Sequence, residues 1–187
     1  MTRFVYNTAM TLNGYLADEN DSLSWLFAVP GAEAAEGGMA EFMPGIGAFV
    51  MGATTYVWVL DNDERDNPGA WAEAYGSLPC FVVTHRALDR PQGGNVRFVE
   101  GPVDAWVDAA VEAAAGKDVW IVGGGDLVGQ FDDAGHLDEV RVSVAPTVLP
   151  GGRPLLPRRI ESDRLHLESL RQTGQFAELT YRVSRPE

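Results

Sequence analysis

Residues 117–137, KDVWIVGGGDLVGQFDDAGHL, hold the turn around which the rest of the chain is read. Val119–Val122 reads as a short buried strand. Gly123, Gly124 and Gly125 follow it, and a short helix is expected to start near Asp126. Glycine reaches backbone torsions closed to other residues and lets a chain pass close to a ligand. A helix start adds unpaired N–H groups and partial positive charge, which suit a phosphate. Two readings stand side by side here: a seat for a dinucleotide's pyrophosphate, or a plain tight strand-to-helix turn.

The chain around this turn has 187 residues, enough for one well-buried domain spanning 1–187. Its 45% hydrophobic and 22% charged content is that of a globular protein. The single Cys80 cannot form an internal disulfide, and its apolar surroundings point to a buried thiol. The start, MTRFVYNTAM, lacks a signal-peptide layout, and no apolar run nears the roughly 20 residues that span a bilayer. A cytoplasmic protein without membrane partners is the expectation.

Net charge is −13, with 2 basic and 11 acidic side chains in residues 1–79. Nucleic acid needs a concentrated basic face, so it is not an expected partner. An anionic cofactor would have to be held by local devices, such as backbone N–H groups or a placed arginine. Lys117 is the one lysine, which leaves little for Schiff-base chemistry.

Outward from the turn, RFVYNTAM (3–10) reads as a strand and Leu12-Asn13-Gly14 as a turn. Trp25, Leu26 and Phe27 form an apolar patch in an expected loop, either core packing or the lining of a flat aromatic pocket. Ala32–Met43 reads as a helix despite Gly37-Gly38, and 48–51 as a strand. Gly52-Ala53-Thr54-Thr55 then repeats the strand–glycine–helix pattern, presenting N–H groups and hydroxyls to phosphate or simply capping a helix. Residues 61–77 are acidic and turn-rich, a surface loop with about one helical turn. Strands follow at 79–84 and 96–99, the first ending in Thr84-His85-Arg86, an anion site or a solvated loop. From Pro102, a helix carries Val103, Trp106, Val107, Ala110, Val111 and Ala114 on its apolar face. EVRVSVA (139–145) alternates as a strand, 146–157 is turn-rich, and 164–172 with 175–183 make a hairpin. Strands alternating with helices, then an antiparallel ending, give one α/β domain.

Several chemistries lose their usual motif. Val128 stands where the dinucleotide fingerprint needs its third glycine, and no GxxxxGK or GxSxG is present. His85, His136 and His166 show no metal-ligand spacing, so no metal is expected.

MTLNGYLA (10–17), FVMGATTY (49–56), FVVTHR (81–86), VWIVGGGDLVGQF (119–131) and APTVLPGGRPLL (145–156) occur in an order that resembles the dihydrofolate reductase-like family. Within it, the chain is most similar to the reductase domain of bacterial riboflavin biosynthesis and its stand-alone relatives. The resemblance implies a mainly parallel sheet flanked by helices, with an antiparallel carboxyl-terminal hairpin. It implies an NADPH-dependent oxidoreductase that passes a hydride to a small conjugated C=N or C=O substrate, pterin- or pyrimidine-like, in a homodimer. Ala9 and Leu16 would border the nicotinamide. Gly52, Ala53, Thr54 and Thr55 would face the phosphates from one side, and Gly123, Gly124, Gly125, Asp126, Leu127 and Val128 from the other. Thr84, His85 and Arg86 would read the 2′-phosphate, and the Gly123–Gly124 peptide would be cis. Glu36, with Glu33 one turn earlier, or else water would deliver a proton, unless both glutamates are solvated. Substrate would stack near Trp25 and Phe27, and Asp126 would cap its helix from outside. Asn13 departs from the aspartate usual in the riboflavin-type relatives. Two other readings are a non-catalytic dinucleotide-binding or regulatory protein on the same fold, and a dimerisation module without cofactor.

Overall fold

The computed structural model describes residues 1–32 and 34–185. β1 (Phe4–Thr11) lies at the middle of an eight-stranded sheet, and the short β2 (Tyr15–Ala17) follows it. The chain then forms α1 (Ser24–Phe27) and α2 (Ala34–Phe42) before β3 (Ile46–Gly52) and α3 (Ala53–Val59). Helix α4 (Ala70–Tyr75) leads into β4 (Cys80–Val83) and β5 (Val96–Val99). After α5 (Val107–Ala113), β6 (Asp118–Gly123) returns and slots between β3 and β1. Helix α6 (Gly125–Asp133) and β7 (Glu139–Ala145) follow, then β8 (Arg153–Pro154) and the hairpin β9 (Leu165–Thr173) and β10 (Phe176–Val183).

The sheet order is β5-β4-β3-β6-β1-β7-β10-β9, parallel from β5 through β7, with β10 antiparallel to both neighbours. This is the mainly parallel architecture with an antiparallel end that the sequence led us to expect. Because β6 is inserted after β3–β5 are laid down, chain direction across the sheet reverses there. Ligands of open α/β sheets bind at the carboxyl ends of strands beside such a reversal.

Two cores sandwich the sheet. Alternate residues of each buried strand face opposite ways, so Val50 and Ile121 pack under α5 and α6 with Trp106, Ala110 and Phe131. Phe49, Met51 and Trp120 face the other side with Tyr56, Trp71 and Cys80. Cys80 is fully buried, and burial pushes its thiol well up.

Local expectations fail where a long-range partner intervenes. Trp25 sits in the helical turn α1 instead of a loop and is buried with Val29, Ala145 and Phe176. Residues 61–77 are more ordered than a loop, because the Glu64 carboxylate accepts from the Gly69 and Trp71 amides at 3.0 and 2.9 Å. That carboxylate starts α4 and lets Trp71 enter the core. Val111 is exposed, as the helix face presents Val107 and Ala110 to the core. β8 pairs with β2 and folds the 146–157 segment back over the strand ends.

Candidate active site

The ends of β3 and β6 lie side by side, Met51 in register with Gly123. Both strands pass directly into helices whose N-caps, Gly52 and Gly124, make no side-chain capping hydrogen bond. The first-turn amides of α3 and α6 therefore have no side-chain cap from within their own helix ends. They open on a cleft of about 760 Å³, lined by Gly52–Thr55, Gly123–Leu127, Ala9 and Leu16.

The three glycines have three separate reasons. Gly123 has φ 145°, a conformation that other residues rarely adopt. The Gly123–Gly124 peptide is cis, as the resemblance implied. A Cβ on Gly124 would meet nothing within 4 Å, so this position borders open space. Gly125 is required for packing: a Cβ there would lie 2.5 Å from the carbonyl oxygens of Pro154 and Leu155.

Other expected site residues are placed differently. Val128 is fully buried, lines neither cavity, and its amide donates to the Gly124 carbonyl at 3.2 Å, so it faces no ligand. The cause is helical geometry, which engages the fourth amide of a helix internally. Asp126 does not cap α6. Its carboxylate accepts from Gln130 at 2.9 Å and from Arg158 at 3.1 Å, and these bonds, Gln130 first, hold it below the usual range. Trp25 is core and lines neither cavity, whereas Phe27 is 69% exposed and lines the larger one. Thr84 is buried and accepts from the Arg86 amide at 2.9 Å, which turns His85 and Arg86 out, exposed, just beyond the cleft residue Val83.

A second, larger chamber of about 1080 Å³ shares Thr8, Ala9, Leu26 and Val122 with the cleft. Its walls are the α2 residues Met39, Glu41 and Phe42, together with Arg141 and Ser143 from β7 and the β9–β10 hairpin. Trp120 lies edge-on to Phe42, ring centroids 5.8 Å apart, and donates its indole N–H to the Asn7 carbonyl at 3.0 Å. Arg171 bridges Glu178 at 2.7 Å and Glu41 at 3.4 Å, tying the hairpin to α2. None of these hairpin residues carries a sequence signal, since their approach depends on pairing across more than a hundred residues. Glu36 belongs to α2, but its side chain, like all of Glu33, lies outside the described residues.

The 146–157 segment is fastened by Asn13, whose amide donates to the Leu149 carbonyl at 2.7 Å and accepts from the Leu149 amide at 3.2 Å. An aspartate could not make the first bond, which gives the departure at Asn13 a structural role. Arg153 and Asp21, both lining the cleft, pair at 2.5 Å across its rim.

Among the described residues no helix is long and apolar enough to cross a membrane. No group of three or more His, Cys, Asp or Glu there could hold a metal ion.

This sheet, with a glycine-turn cleft at its point of reversal, has the dihydrofolate reductase-like fold. The chain belongs to the RibD C-terminal domain family, whose model matches residues 3–177. It is 28% identical over 173 residues to the uncharacterized protein YwjB of Bacillus subtilis, covering 92% of this chain and 93% of that one. A Shewanella protein provisionally assigned to riboflavin biosynthesis has a similar structure, with TM-score 0.77 and 28% identity over 99% of this chain and 100% of its own. The dihydrofolate reductase of Enterococcus faecalis, solved in complex with NADP(H), shares the fold at TM-score 0.55 and 13% identity, with 97% and 96% covered.

Proposed function

We propose that this chain is an NADPH-dependent reductase acting on a small, planar, conjugated C=N or C=O substrate. The observation that carries the reading is the junction of the two cavities. The glycine-turn cleft and the chamber meet at Thr8, Ala9 and Val122, so two ligands can touch there. When bound, NADPH supplies the hydride; everything else is positioning by the chain.

The amides of Gly52–Thr55 and Gly125–Leu127 hold the pyrophosphate without any lysine. The open space beside Gly124 and the uncapped helix starts fit an anionic group, and the arginines at the rim are paired with Asp21 and Asp126. Ala9 and Leu16 border the nicotinamide, and His85 and Arg86 at the end of β4 read the 2′-phosphate. Phe42, Trp120 and Phe27 offer aromatic surface in the chamber for a flat substrate. Glu36 on α2, the helix that walls the chamber, is our assignment for proton delivery; Glu36→Gln should lower kcat and leave the affinity for NADPH unchanged. Leu167 and Leu170, exposed on the edge strand β9, support a homodimer.

The test is titration with NADPH and with NADH, followed by cofactor fluorescence. Tight binding of NADPH and weaker binding of NADH is the expected outcome. If neither binds at millimolar concentration, the reading is wrong.

A further inference from the structure

The cleft assigned to the cofactor carries the wrong charge for its ligand. Among the described residues that line it, three carboxylates, Asp21, Asp63 and Asp126, stand against one cation, Arg153. An anionic ligand there depends on how that single arginine is used. The neighbouring Arg158 is committed elsewhere. It pairs with both Asp126 and Asp133 and lies so close along α6 that a Cβ on Gly129 would meet its guanidinium carbon at 2.7 Å.

The backbone of Arg153 is fixed, and its head group is not. Arg153 pairs with Ala17 in the β2–β8 ladder. The next residue, Pro154, brings its carbonyl oxygen to 2.5 Å from where a Cβ of Gly125 would stand. Arg153 is thus one residue away from a backbone contact with the start of α6, within reach of an extended arginine side chain. Its guanidinium is held instead by Asp21, with Nη2 donating to Oδ2 at 3.0 Å. Side-chain exposures of 57% and 35% leave that pair in contact with water, where such a bond contributes little. Asp21 is aimed by its own loop. It has φ 61°, uncommon for a residue other than glycine, and Asp18 closes the loop by accepting from the Asn20 and Ser22 amides at 2.8 and 2.9 Å.

Building on the reductase reading, we propose that Arg153 is a pyrophosphate-binding residue held in reserve by Asp21, and that the arriving cofactor takes the guanidinium from the aspartate. A phosphate accepts two parallel N–H bonds as a carboxylate does, so the exchange keeps the same fork geometry. Only side chains have to turn, since the Arg153 backbone stays in its ladder. Asp21 therefore acts against the cofactor in two ways: it competes for Arg153, and once released it faces the phosphates as a like charge. The pyrophosphate is common to NADPH and NADH, so Arg153 serves both, unlike Arg86.

The test is the pair of substitutions Asp21→Asn and Arg153→Gln, each titrated with NADPH and NADH in the full-length protein by cofactor fluorescence. Both remove the same ion pair. A pair that only braces the rim would make both substitutions weaken binding. The exchange requires opposite signs. Asp21→Asn should tighten both cofactors about two- to fivefold, and Arg153→Gln should weaken both about tenfold. Arg153→Lys should restore part of that loss, and the gain from Asp21→Asn should shrink in the double variant. Changes of like sign, no change with Arg153→Gln, or a loss confined to NADPH overturns the proposal. A wild type that binds neither cofactor overturns the reductase reading and this proposal with it, and that result shows in the wild-type titration alone.

Discussion

The α-carbon of Gly125 faces the Leu155 carbonyl so closely that a Cβ there would lie 2.5 Å from the oxygen. This contact ties the start of α6 to the segment that β8 folds over the strand ends. Gly125→Ala must push the two apart. Overpacking of this kind destabilises by about 1–3 kcal/mol. Urea unfolding should show a lower midpoint with an unchanged slope, and NADPH affinity should fall with it.

At the other end of α6, Arg164 meets Asp132 at 2.5 Å and also donates to the Ser184 carbonyl at 2.8 Å. The Asp132 side chain is only 6% exposed. Asp132→Asn leaves the guanidinium short of its counter-charge, and breaking a buried pair costs about 3 kcal/mol or more. The low end applies, because Arg164 keeps Ser184. Chemical denaturation of the single and double variants measures it, and the double variant should recover part of the loss.

Acid should weaken the cleft rim in a defined window. The bond from Arg153 lowers the Asp21 carboxyl below its ordinary 3.8. A lowered carboxyl stabilises the fold fully above its unfolded value and loses that contribution as pH falls through the folded one. Melting temperature should therefore hold from neutral pH to roughly pH 4 and then drop more steeply in wild type than in Asp21→Asn. The pair is exposed, so about 1 M salt should shrink the difference.

Cofactor choice should depend on Arg86. Removing one charge-assisted contact to a phosphate weakens binding about tenfold. Arg86→Ala should do this to NADPH and leave NADH unaffected, with a smaller salt dependence for NADPH. An equal loss for both cofactors would place Arg86 outside the 2′-phosphate site.

The sequence by itself determined the elements and their succession. Glycines next to apolar runs, period-two alternation in 139–145 and the Thr173-Gly174 hairpin signal are all set within a few residues, where backbone torsions and side-chain facing are decided. Gly52–Thr55 and Gly123–Leu127 could be picked out for the same reason. The tertiary structure decided the rest. It sent Trp25 into the core, engaged Val128 within its helix, turned Asp126 toward Gln130 and Arg158, and brought Arg171 and Glu178 to α2. Those outcomes depend on which distant strands pair, and pairing reflects the burial of a whole sheet, a quantity no short stretch of sequence contains.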